Sequence, residues 1–112
     1  MSDLPLRWSE FERVEMRVGT VVSAEPFPAA RRPAYQLVID FGPLGKLKSS
    51  AQITDRYLPE DLIGRQIVAV VNFPPKQIAT LMSQCLVLGA VEDSGVTLLA
   101  PDFAVANGTR IG

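Results

Sequence analysis

The chain contains no histidine and one cysteine among its 112 residues. Without histidine there is no Ser-His-Asp arrangement, and most zinc sites are excluded. Cys85 has no second thiol for an intrachain disulfide and no histidine to act as its base, so it reads as a small core residue within an apolar run. Aromatics are sparse, at 7%. The candidates for stacking a nucleic-acid base, Tyr35, Phe41, Tyr57 and Phe73, are few, and Tyr35 and Phe41 share parity with core positions. The strong positive charge of a phosphate-neutralising protein is also missing, since the net charge is -1. No apolar run approaches the roughly 20 residues that a spanning helix needs, and the start of the sequence carries no secretory pattern. The expectation is a cytoplasmic protein without membrane insertion.

No spacing of Cys, Asp or Glu suits a metal, and Gly42-Pro43-Leu44-Gly45 matches neither a dinucleotide nor a P-loop pattern. Asp40 and Asp55 are explained by strand alternation and turn position, so they are not taken as an acid pair. The expectation is a binding module, not an enzyme, with no cofactor.

What is present is one domain's worth of core. Hydrophobic residues make up 47% and charged residues 21%, ordinary globular shares. Ser9 and Glu12 match a capping box at the start of a short helix over 8–13, with Trp8 either a staple or packed against a partner subunit. Residues 15–25 predict a long strand, with Gly19 as a bulge or bend. Residues 28–33 form an interruption in which Pro28 opens a helical turn, and Arg31-Arg32 is the one adjacent pair of cations.

Residues 35–41 alternate as a strand, 42–45 carry turn chemistry, and 46–54 return with Lys46 and Lys48 on one face. Residues 59–64 have proline at the start and glycine at the end of a helical piece, with Glu60 and Asp61 in its first turn. Residues 67–71 form a buried strand that must stop at Pro74-Pro75. Residues 84–91 and 96–100 are further strands joined at Asp93-Ser94-Gly95, and Asn107-Gly108 marks a last turn before a short tail. Five or six short strands, with helical turns but no long helix, predict an all-β fold. The glycine-bearing first strand and the helical interlude favour a five-stranded oligonucleotide/oligosaccharide-binding (OB) barrel over about 14–100, with short flanking helices, in a single domain spanning 1–112.

Such barrels bind across their second and third strands and adjoining loops. The segment after residue 71 mixes apolar residues, a cation and amides. Phe73, Pro74, Ile78 and Met82 are candidates for an apolar binding surface, with Lys76, Gln77, Arg31 and Arg32 fixing a peptide backbone or carboxylate; Leu81 is expected in the core. The alternative is a nucleic-acid surface made by Lys46, Lys48, Ser49, Ser50, Gln52, Asn72 and Lys76. A third alternative is a structural docking subunit with Trp8 and Phe11 at its interface.

Residues 11–20 (Phe11-Glu-Arg-Val-Glu-Met-Arg17-Val-Gly-Thr), 30–37, 40–42, 49–54 (Ser49-Ser-Ala-Gln-Ile-Thr54) and 72–78 (Asn72-Phe-Pro-Pro-Lys-Gln-Ile78) resemble, in order, the CsaA family of export-associated chaperones. That family lies within the tRNA-binding-domain group, which includes the C-terminal domain of many methionyl-tRNA synthetases. The resemblance implies an OB barrel that pairs as a homodimer through segments outside the barrel, here Trp8, Phe11 and Ile111. It implies binding of unfolded or precursor polypeptides, a link to the secretion machinery, and a tRNA-binding role inherited from the wider group. The tRNA-binding relatives carry Ser-Gly where this chain has Ser50-Ala51, and a second cation where it has Gln77. Phe73 replaces their leucine, Cys85-Leu86 their Gly-Met, and Ala79 a glycine expected of CsaA. These departures shift the 72–82 segment from phosphate contact toward apolar contact.

Overall fold

The computed structural model describes residues 4–112. A six-residue helix, α1 (Trp8–Arg13), leads into the eleven-residue β1 (Met16–Pro26). β2 (Tyr35–Asp40) and β3 (Lys46–Ala51) follow, separated by a 3-10 turn. The short α2 (Pro59–Leu62) precedes β4 (Gln66–Val70). The rest of the chain is cut into short strands: β5 (Lys76–Ile78), β6 (Leu81–Ser83), β7 (Leu86–Val87), β8 (Gly89–Glu92), β9 (Gly95–Leu98) and β10 (Arg110–Ile111).

The main sheet runs β3-β2-β1-β4-β7, all neighbours antiparallel. It curls until β3 and β7 meet, giving a nearly closed five-stranded barrel consistent with an OB fold. Strand alternation explains the interior: Leu37, Ile39 and Phe41 turn inward from one side, and Ile67 and Ala69 from the other. Backbone and side-chain hydrogen bonds help to close the seam between β3 and the residues leading into β7. Gln84 N–H donates to Lys48 O at 2.8 Å, and Lys48 N–H to Gln84 Oε1 at 2.9 Å. Ser49 Oγ donates to Cys85 O at 3.1 Å, and Ser50 N–H to Ser83 Oγ at 3.2 Å.

Several local expectations are corrected. The cap of α1 is Arg7, not Ser9: Arg7 is extended, and its N–H donates to Glu10 Oε1 at 2.9 Å. Trp8 is then inside the helix and 82% exposed, so it staples nothing. Gly19 is not a bulge. A Cβ there would stand 2.6 Å from Ile39 Cγ2 and 2.8 Å from the Phe41 ring, so glycine admits close packing between strands. The irregularity lies between Val21 and Ser23, and it switches the parity of β1. Val21 and Ala24 therefore both reach the core while Val22 faces outward. The strand expected over 84–91 breaks in two, because Leu86 and Val87 pair with β4 while the residues from Gly89 onward pair with β9. The tail is a strand, with Arg17 opposite Arg110 and Met16 opposite Ile111.

Candidate binding site

The segment after β4 is held at its base before it becomes free. Val71 N–H donates to Glu15 O, and the Asn72 side chain bridges the link between α1 and β1. Asn72 Oδ1 accepts from Glu15 N–H at 3.0 Å and its Nδ2 donates to Arg13 O at 2.6 Å. Both ends of this amide are thus engaged within the chain. Phe73, Pro74 and Pro75 then run over the surface, with Phe73 56% exposed.

The next residues form a hairpin. β5 pairs with β6 in the register Lys76–Ser83, Gln77–Met82 and Ile78–Leu81. Its two-residue turn is Ala79-Thr80, and Ala79 adopts φ 48°, the left-handed region that glycine enters more readily. Gln77 Nε2 donates to Ala79 O at 2.8 Å across this turn. Leu81 anchors the hairpin in a small satellite core with Phe27 and Ala34, where Ile78 and Ala30 also pack. Leu81 is therefore core, as expected, whereas Met82, its neighbour, is 45% exposed.

The hairpin and the end of β3 enclose two adjoining depressions. The first, about 350 Å³, is lined by Phe73, Pro74, Lys76, Ile78 and Leu86, with Ser50, Gln52 and the Ser83–Cys85 seam at its floor. The second, about 390 Å³, is lined by Arg31, Arg32, Gln77, Ala79 and Ile78, with Ala30, Ala34, Ser50 and Gln52. Ile78, Ser50 and Gln52 border both. Neither is lined by a carboxylate, so their cations give both a positive bias.

Most of the residues expected to bind peptide are thereby gathered. Phe73, Pro74, Lys76 and Ile78 share the first depression, and Gln77, Arg31 and Arg32 share the second with Ile78. Met82 borders neither.

The alternative nucleic-acid set is dispersed. Ser49 is 0% exposed and hydrogen-bonded within the barrel seam, so it cannot reach a ligand. Lys48 borders a separate depression that also holds Glu25. Lys46 pairs opposite Asp40 at the other end of β3, beside the 3-10 turn. Only Ser50, Gln52 and Lys76 of that set border the hairpin site. The sequence reasoning missed Leu86, Ser83 and Gln84 in the first depression. Leu86 is apolar yet exposed, and its signal was its place one residue out of phase with buried Cys85.

Cys85 lies at the floor of the first depression, and burial pushes its thiol from 9.0 up to about 11, while the hydrogen bond with the Ser49 side chain pulls the other way. It is a protonated, poorly nucleophilic group at neutral pH.

At the opposite end of the segment's base, Arg110 Nη2 donates to Glu12 O at 2.9 Å. This bond ties β10 to α1, so Ile111 stands on the same side of the fold as the helix bearing Trp8 and Phe11. Leu6, just ahead of the helix, is also exposed.

Residues 16–110 match the family model described as "Putative tRNA binding domain". Among solved structures, chaperone CsaA from Bacillus anthracis is 55% identical, with a TM-score of 0.92, over 97% of this chain and 100% of that one. The CsaA chaperone protein from Picrophilus torridus is 45% identical, with a TM-score of 0.91, over 96% of this chain and 100% of that one. This chain belongs to the CsaA family, within the tRNA-binding-domain group. The methionine–tRNA ligase of Methanocaldococcus jannaschii is 32% identical over 92% of this chain, which spans only 16% of that ligase. The matched stretch takes in the whole barrel and both depressions, and leaves out α1. Among the described residues, no helix is long and apolar enough to cross a membrane.

Proposed function

We propose that this chain is a non-enzymatic CsaA-type chaperone that binds unfolded or precursor polypeptides, without ATP, at the paired depressions around β5 and β6. The observation that carries this function is the exposure of Phe73 beside Pro74 over an apolar groove. A large aromatic held outside the core by two prolines makes a rigid contact surface that loses little freedom when a client docks. Lys76, Gln77, Arg31 and Arg32 supply donors for backbone carbonyls and carboxylates at the rim. The protein works in the cytoplasm as a homodimer, paired through Trp8 and Phe11 on α1 and Ile111 on β10, and hands clients toward the secretion machinery.

The test is suppression of aggregation of a denatured protein by wild type and by Phe73→Ser. Loss of protection in the variant, with the fold intact, supports the site, and equal protection removes it. Light scattering of Trp8→Ala tests the dimer: a fall to monomer mass is expected.

A second function, tRNA binding in trans, is favoured by the match to the tRNA-binding family and to the methionine–tRNA ligases. Its cations would be Lys76, Lys48 and Lys46 with Ser50 and Gln52. Affinity for tRNA should then fall steeply between low and physiological salt, as phosphate-bound counterions are released. A flat salt profile, or no retention of tRNA, removes it.

A further inference from the structure

The amide of Asn72 stands where a short helix ends and the client segment begins. A helix leaves its last carbonyls without intrahelical donors. At the end of α1 the last three find partners elsewhere: Val14 N–H donates to Phe11 O, Arg110 Nη2 to Glu12 O, and Asn72 Nδ2 to Arg13 O. The same Asn72 side chain turns its oxygen to Glu15 N–H. One residue earlier, Val71 N–H donates to Glu15 O at 2.9 Å. Glu15 is itself held in place, since its carboxylate pairs with Arg17 at 2.6 Å and Arg17 Nη1 donates to Gly108 O at 3.0 Å.

Phe73 follows directly. Among the described residues nothing hydrogen-bonds to its backbone, so its place depends on what comes before and after it. After it come Pro74 and Pro75, and a residue ahead of proline is pushed toward extended backbone. The prolines narrow the local shape of the segment, but without an N–H they cannot donate a bond that would tie it down. The hairpin begins only at Lys76. The nearest attachment of Phe73 to the rest of the fold is therefore Asn72.

We propose that Asn72 is a positioning residue for the client surface: its amide, locked onto the link between α1 and β1, sets where the Phe73 ring stands at the rim of the first depression. This rests on the polypeptide-binding function above and adds the residue that makes its apolar contact rigid. A ring held in place before a client arrives loses less freedom on binding. Direct contact with the client is the competing role for this exposed amide. The two roles differ in one respect: a contact adds to that of Phe73, whereas a positioning residue acts only through it.

The experiment uses the full-length protein and reduced, alkylated lactalbumin, which stays unfolded, carrying a fluorophore for anisotropy. Phe73→Ser is expected to lose about tenfold in affinity and Asn72→Ala about fivefold, the scale of one aromatic anchor and of one side chain immobilised on binding. In the Phe73→Ser background, Asn72→Ala is expected to cost nothing further. The direct readout is para-fluorophenylalanine introduced at position 73, whose fluorine resonance should move toward that of the free amino acid in Asn72→Ala. Asn72→Asp keeps an oxygen for Glu15 N–H and loses only the donor to Arg13 O, and it replaces Asn72→Ala in every comparison if that variant does not fold. Wild-type affinity in the Asn72 variant, losses that add in the double variant, or a fluorine resonance that does not move each overturn the positioning role and leave polypeptide binding in place. Wild-type affinity in Phe73→Ser, or no binding by the wild type, overturns the polypeptide site and the positioning role with it.

Discussion

Ser49 in the barrel seam and Phe73 at the rim of the first depression reverse the usual rule of what is inside. The serine is fully buried and the phenylalanine is more than half exposed. Around Ser49, the barrel seam uses hydroxyl and amide groups as structural cement: each buried polar atom has a partner, because Cys85 O, Lys48 O and Ser50 N–H all need one. Around Phe73, apolar surface has no structural partner and lies beside exposed cations. Burial here is assigned by position in the barrel and not by residue polarity. Polar groups in the seam therefore serve stability, and apolar groups at the hairpin are left exposed.

The barrel side of this contrast breaks most severely at Gly19. Gly19→Ala places a Cβ against Ile39 and Phe41 at distances no packed core tolerates. Stability should fall by about 3 kcal/mol, at the upper end of overpacking costs, as measured by urea unfolding. At the seam, Ser49→Ala removes the principal donor to Cys85 O, leaving only the longer contact from Ser83 Oγ at 3.5 Å. The expected loss is about 2 kcal/mol, that of a buried acceptor left short of a partner. A loss below about 0.5 kcal/mol, the level of an ordinary surface change, would mean the seam does not depend on Ser49.

Cys85 gives a pH signature of the same region. Its folded-state pKa is raised to about 11 from 9.0. The stability it contributes is fully present below pH 9 and is lost as pH rises toward 11. At pH 10 the loss should be about 1.4 kcal/mol by linkage, and Cys85→Ala should flatten the alkaline slope. Crossing to the hairpin, Ala79→Gly should stabilise the protein by up to about 1 kcal/mol, because Ala79 holds a left-handed backbone that glycine adopts without strain. The gain is bounded by glycine's larger unfolded-state entropy. A rise in melting temperature checks it.

How much of this was legible in the sequence follows the same division. Strong alternation over 35–41 and the apolar run at 67–71 gave the barrel strands. Pro59 and Gly64 bracketed α2, whose Asp61 accepts from Leu58 N–H at 3.2 Å. The motifs over 11–20 and 72–78 carried the family. What stayed hidden depends on partners distant in the chain. The parity switch at Val22 is imposed by pairing with β2, the break at Leu88 by competing pairings with β4 and β9, and the burial of Ser49 by closure against Cys85. The hairpin was hidden for a different reason: its strands have three residues each, and its turn carries Ala79-Thr80 in place of the Asn-Gly or Asp-Gly signal that local chemistry would announce. The candidate binding residues were legible as types, yet only the fold shows that Arg31, Arg32 and Gln77 share one depression and Phe73 and Lys76 the other.

The smallest expected effect on stability is the most informative about function. Phe73→Ser exchanges an exposed ring for a hydroxyl at a position outside both core clusters. Its melting temperature should match wild type, with a stability change inside about 0.5 kcal/mol, while protection of an aggregating client is lost. Ser49→Ala should show the converse, a lower melting temperature with protection retained at temperatures where it remains folded. If Phe73→Ser instead unfolds the protein as Ser49→Ala does, the ring is structural, and the division between a cemented seam and a free apolar edge fails. If it does neither, the client surface lies elsewhere, and exposed Leu6 with Trp8 at the start of α1 is the next place to substitute. The pair of variants thus separates a side chain that holds the barrel shut from one kept outside it for a partner.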